Sequence, residues 1–244
     1  MSVPGAHRVQ ALTAGTASGG STPYACVIDR CAFARHGLAT LVAERFPGEV
    51  LTLDCEVTHL QLPLITRVRP VSVLVYRLPA LLTPLMTGLS FLQRFLARHA
   101  REDGQMSARV VLLTDLAPHW LYDTLSALLC QEAALLSVSV LPSRCSLPQL
   151  RAALAGTLPD ALMRHHVMNV PAAWRVSGLS AREVTVLRDF LVYDIDLAAQ
   201  ARLSGRSVKT LYSLRLSAMR KLGVRTLQGL LRWRARVGSR EVRI

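Results

Sequence analysis

The stretch from Leu179 to Val224, LSAREVTVLRDFLVYDIDLAAQARLSGRSVKTLYSLRLSAMRKLGV, constrains the fold more than any other part of the chain. Ser180 and Glu183 stand in the S-x-x-E spacing of a capping box, in which each side chain satisfies a backbone N–H at the other's position, so a helix starts there. Val184, Leu187, Phe190 and Leu191 recur at helical spacing and give that helix one apolar face. A shorter helix is expected over 196–203, with Leu197, Ala198 and Ala201 as its apolar residues. After a turn at 203–206, Ser207 offers a second N-cap. Val208, Leu211, Ala218 and Leu222 then carry a longer helix on one face until Gly223 ends it. A short scaffold helix, a tight turn and a long basic helix are the parts of a helix-turn-helix, whose last helix enters the major groove of duplex DNA.

Charge points the same way. The chain carries a net charge of +13, and its two lysines, Lys209 and Lys221, both fall on the third helix while arginine is used everywhere else. Residues 175–244 hold 15 Lys or Arg against 5 Asp or Glu, whereas the preceding residues hold 14 against 11. An arginine-rich genome explains the preference for Arg over Lys but not this asymmetry, which is the footprint of a polyanion partner. Helix geometry places Lys209, Tyr212, Ser213 and Leu216 within reach of base edges. Arg206, Thr210, Arg220 and Lys221 are expected at phosphates, with Ser207 among the DNA-contacting residues at the helix start. The competing reading of these residues is the solvated charged face of an ordinary helical bundle.

Ahead of this block the pattern changes. Residues 1–23 lack the continuous apolar core of a secretory signal and read as a mobile polar tail. Strands are expected at 24–28, 50–53, 71–75, 109–113 and 136–141, and helices at 36–45, 89–100, 119–130 and 147–154. This alternation predicts an α/β fold, a doubly wound parallel sheet over 24–156, followed by a linker at 157–177 and an all-α domain over 178–244. No apolar run reaches the ~20 residues of a membrane helix; residues 79–95 come nearest and are broken by Pro84, Gly88, Thr83 and Thr87. Five scattered cysteines without CxxC spacing (Cys26, Cys31, Cys55, Cys130 and Cys145) read as reduced thiols of a cytoplasmic protein, with no metal site. His165 and His166 read as polar linker residues, and Trp120, Trp174 and Trp233 as packing residues. No glycine-rich phosphate loop, nucleophile elbow or carboxylate pair supports a catalytic site, so neither an enzyme nor a cofactor is expected.

Leu179, Ser180, Arg182, Glu183, Val186 and Leu187, then Ser207, Lys209 and Thr210, then Lys221, Leu222, Gly223 and Val224, together resemble the LuxR/FixJ-type helix-turn-helix domain. More narrowly, GRSVKTLYSLRLSAMRKLGV is similar to the recognition region of Rcs-type regulators. The middle departs from the pattern. The glycine usual between the first two helices is Asp194, and the usual Glu-Ile-Ala of the scaffold helix is Ala199-Gln200-Ala201, so that helix is either shifted in register around Leu197 or weakly packed.

The resemblance implies that the α/β domain is a response-regulator receiver. A receiver carries an acidic pair after its first strand, a phospho-accepting Asp after its third, Ser or Thr after its fourth and Lys after its fifth. In this chain Asp29 is followed by Arg30, Tyr76 or Arg77 occupies the acceptor position, Thr114 matches the hydroxyl and Pro142 replaces the lysine. A degenerate receiver without phosphorylation or a bound metal is therefore implied, with Asp29 a leftover strand-end carboxylate paired to Arg30 or Arg77. The implied partners are double-stranded DNA and either a second copy or an RcsB-like response regulator, since one helix-turn-helix buries little surface. The other reading is an interaction protein that titrates a response regulator and binds little DNA itself.

Overall fold

The computed structural model describes residues 24–55, 71–79, 81–101, 106–129, 132–169, 171 and 177–232. The expected 1–23 tail, Cys130, Trp174 and Trp233 lie outside them. Strands β1 (Tyr24–Ile28), β2 (Val50–Leu53), β3 (Val71–Arg77), β4 (Arg109–Leu113) and β5 (Ser139–Leu141) form one parallel sheet in the order β2-β1-β3-β4-β5. The near-continuous apolar runs of β1, β3, β4 and β5 reflect burial on both faces, while the edge strand β2 leaves Thr52 exposed. Successive side chains point to opposite sides. Cys26, Ile28, Leu74, Tyr76, Leu112 and Val140 therefore enter one core, and Val27, Val73, Val75, Val111, Leu113 and Leu141 the other.

Helices α1 (Ala32–Arg45) and α4 (Leu147–Ala155) supply Leu38, Val42, Leu150 and Leu154 to the second core. Helices α2 (Leu82–His99) and α3 (Pro118–Ser126) cover the first. Helices α1 and α2 start four and seven residues earlier than their apolar spacing indicated. In α2 the reason is visible: Thr83 and Pro84 sit in its first turn, where a missing N–H leaves no bond unmade. Gly88 is needed for close approach, because a Cβ there would lie 2.5 Å from the Tyr76 hydroxyl oxygen. Helix α3 ends at Ser126, short of 130. The expected strand at 136–141 is mostly a 3-10 turn, Glu132–Ser137, which buries Ala134 and Leu135 before the three-residue β5 begins.

Within the stretch expected as a linker, a 3-10 turn (Pro159–Ala161) leads into helix α5 (Met163–Asn169), anchored by the fully buried Met163 and its N–H bond to the Val138 carbonyl, 2.8 Å. His165 pairs with Asp160 at 3.3 Å. The C-terminal part comprises α6 (Ala181–Leu191), α7 (Leu197–Ser204), α8 (Val208–Lys221) and α9 (Leu227–Leu231). Its inner residues Leu179, Val184, Leu187, Ala218, Met219, Leu222 and Leu230 join the core over α2 and α3. This explains why α2 buries so wide an arc, from Leu82 to His99: one side serves the sheet and the other the helical part. The seam is tight. A Cβ on Gly178 would meet the Thr124 backbone nitrogen at 2.6 Å, and Leu179 N–H donates to Thr124 Oγ1 at 3.0 Å. Trp120 packs fully buried beneath it. No helix among the described residues is long and apolar enough to cross a membrane.

Candidate nucleic-acid interface

The helix-turn-helix is assembled from local signals that the backbone follows closely. Ser180 Oγ accepts from the Glu183 N–H while Glu183 Oε2 accepts from the Ser180 N–H at 2.7 Å, completing the capping box of α6. Between α6 and α7, Asp194 adopts φ 53°, the left-handed conformation that the absent glycine would favour and that Asp tolerates better than most residues. Asp196 caps α7 by accepting from Ala199 N–H at 2.7 Å. Gly205 ends that helix at φ 65°, and Ser207 caps α8 by accepting from Thr210 N–H at 3.1 Å. The scaffold helix has its own register: Gln200 is its buried residue, Leu197 and Ala201 are half-buried, and Ala198 is exposed rather than on the apolar face. The Gln200 carboxamide donates to Ile195 O at 2.8 Å and Val186 O at 3.4 Å, so hydrogen bonds tie α7 to the middle of α6 and to the connection between the two helices.

On and before α8, Arg206, Ser207, Lys209, Thr210, Tyr212, Ser213, Leu216 and Arg220 are all exposed. The helix carries no carboxylate, and Lys209, Ser213, Leu216 and Arg220 follow the i, i+3 and i+4 spacing of one outward face. Ser213 Oγ donates back to Lys209 O at 3.0 Å, which turns its lone pairs outward as acceptors. Such a surface can hold a polyanion and form hydrogen bonds along it. Two expectations need correction. Val208 is 48% exposed instead of facing the core, because at the first turn of α8 it projects past the packed part of the helix. Lys221, expected at a phosphate, turns inward: its Nζ donates to Glu183 Oε2 at 2.8 Å and Gly178 O at 3.0 Å. Burial pushes the Glu183 carboxyl up, but hydrogen bonds from Lys221, Ser217 and the Ser180 backbone outweigh it and hold the group below its ordinary value. Arg215 was missed by the sequence reading. Its guanidinium lies 5.7 Å from the Phe190 ring centroid and 5.4 Å from that of Tyr212, bridging α6 and α8; the i, i+3 spacing of Tyr212 and Arg215 was the available signal.

At the carboxyl edge of the sheet, Asp29 is 2% exposed and pairs with Arg77 Nε at 3.1 Å. The guanidine N–H points past the oxygen, so this contact is an ion pair without a linear hydrogen bond. The other Asp29 oxygen accepts from Cys31 N–H at 2.8 Å. Of the two residues at the end of β3, Tyr76 is buried edge-on to Phe91, its hydroxyl pushed far up by burial, while Arg77 is the one facing Asp29. Thr114 is buried, and its Oγ1 accepts from Leu116 N–H at 3.1 Å. Pro142 is exposed just after β5. Among the described residues no three His, Cys, Asp or Glu side chains cluster as metal ligands would.

No protein-family model matches the chain, and no curated protein matches it. Among solved structures it is similar to RcsB from Salmonella enterica serovar Typhimurium bound to promoter rprA in the presence of the phosphomimetic BeF3-. The identity is 19% and the TM-score 0.53, over 89% of this chain and 100% of that one. Two RcsB dimers bound to two parallel DNAs match at 18% identity and a TM-score of 0.49, over 88% of this chain and 100% of that one. The first of these likenesses is one of fold: a five-stranded parallel receiver-type sheet flanked by helices, followed by a helical domain.

Proposed function

We propose that this chain is a cytoplasmic, sequence-specific DNA-binding transcriptional regulator. The exposed, carboxylate-free face of α8 supports the reading most directly, standing on a capped helix-turn-helix with Lys209, Arg206 and Arg220 around it. In this proposal Arg206, Ser207, Thr210 and Arg220 hold phosphates and Lys209, Tyr212, Ser213 and Leu216 approach base edges; Lys221 keeps a structural role. Domain limits of 24–156 for the sheet part, 157–177 for the connection and 178–244 for the reading part belong to the same proposal.

The sheet part acts as a pseudo-receiver. An aspartyl phosphate needs a carboxylate at the acceptor position and a divalent cation beside it. The Asp29–Arg77 pair puts a fixed positive charge in that place. In this respect the chain resembles BglJ, an unphosphorylatable partner of RcsB, and we propose that it works as a homodimer or as a heterodimer with an RcsB-like response regulator.

The test is a salt titration of duplex binding with the full chain. Lys209→Ala and Arg206→Ala should each weaken binding while leaving the circular dichroism spectrum unchanged, and the phosphate contact at Arg206 should lower the salt slope by about one. Unchanged affinity in both variants would rule out α8 as the reader. A chain that binds a response regulator but no duplex would instead be a titrating interaction protein.

A further inference from the structure

The outward surface of α8 is not uniformly polar. Val208, Tyr212 and Leu216 recur every fourth residue, which aligns them as a ridge, and they are 48, 47 and 39% exposed. Leu216 lies on the same face as Lys209, Ser213 and Arg220, so the ridge crosses the surface that faces a polyanion. Tyr212 is held in place by the Arg215 guanidinium over its ring, itself set against Phe190, so little freedom is lost when that ring makes a contact. An apolar partner protein fits this surface poorly, since Arg206, Lys209, Arg220 and Arg225 surround the ridge with no carboxylate on the helix to balance them. In a major groove, the apolar group available to such a ridge is the C5 methyl of thymine.

Resting on the reading of α8 as the DNA-contacting helix, we infer that Leu216 and Tyr212, with Val208 at the helix start, recognise thymine methyl groups. Specificity at those steps then comes from shape and apolar contact, while Lys209 and Ser213 supply the polar part of the readout. The preferred duplex carries thymine opposite the middle of α8.

The test uses the full chain and a duplex enriched from a randomised pool. Each thymine is replaced in turn by deoxyuridine, which lacks only the methyl, and affinity is read by fluorescence anisotropy at fixed salt. One or two replacements should weaken binding about fourfold, the factor corresponding to one apolar carbon withdrawn from contact. Leu216→Ala should bind the thymine duplex less well and no longer distinguish thymine from uracil at one of those positions; Leu216→Met, which keeps an apolar tip, should still distinguish them. Indifference to every replacement while the duplex is bound would overturn the inference and leave the DNA-binding reading intact. So would a Leu216→Ala variant with unchanged DNA affinity and lost self-association, which would make the ridge a protein interface. Failure to enrich any duplex would instead overturn the DNA-binding reading, and the inference with it.

Discussion

Replacing Lys221 with methionine separates a structural lysine from a DNA-contacting one. Methionine keeps the apolar stem but removes the ammonium that donates to Glu183 Oε2 at 2.8 Å and Gly178 O at 3.0 Å. Glu183 is 3% exposed, so its carboxylate would be left buried with its capping bonds but without its cation. Breaking a fully buried pair costs ~3–5 kcal/mol; because the Lys221 side chain is 29% exposed, solvent recovers part of that, leaving about 2–3 kcal/mol. For a chain of this length that is a fall of about 4–12 °C in Tm. Urea unfolding at pH 7 should show the matching drop in midpoint. The pH dependence has a definite sign. Glu183 is held below its ordinary value when folded, so its contribution is complete above the unfolded value of about 4.3 and is lost as the pH falls through the lower folded value. The gap between wild type and variant should therefore close in acid. Adding Glu183→Gln should restore much of the stability, since no buried charge then lacks a partner. The salt slope of the proposed DNA binding should stay the same. Unchanged stability together with a slope lowered by about 0.9 would refute the reasoning and return Lys221 to the phosphates.

Two further outcomes test other parts of the fold. Arg77→Met should destabilise the sheet part by about 2–3 kcal/mol in urea, because Asp29 is left buried beside an apolar chain; Asp29→Asn in that background should recover most of the loss, and a silent Arg77→Met would show that the pair carries no weight. Asp194→Gly should raise stability by about 0.5–1 kcal/mol, as relief of the left-handed φ of 53° outweighs the greater chain entropy of glycine, and a lowered Tm would contradict that.

Local chemistry carried much of the fold into legible form. Ser180 with Glu183, and Ser207, announced their helices because capping acts over three residues and needs no distant partner. The runs at 24–28, 50–53 and 109–113 matched their strands residue for residue; β1 and, past Arg109, β4 are apolar because both their faces are buried, whereas β2 lies at the sheet edge and leaves Thr52 exposed. Where a helix starts was harder to read: the first turn of α2 tolerates Thr83 and Pro84, residues that look like breakers when the turn cannot be seen. The 3-10 turn ahead of β5 looked like strand for a related reason, because a short apolar run fits either conformation until its neighbours are known.

The amino-acid order alone determined that a doubly wound sheet precedes a basic helix-turn-helix, and that the receiver-like edge lacks a carboxylate after β3. Those properties depend on residue type and spacing within a few turns of chain. Tertiary structure decided the rest. It turned Lys221 away from the outward face, because a buried glutamate 38 positions earlier needed its charge. It brought Arg77 to Asp29 as an ion-pair partner, by ending β3 beside β1. It also left Val208 exposed in line with Tyr212 and Leu216, which helical periodicity could not reveal, because periodicity says which residues share a face and only packing says whether that face is covered.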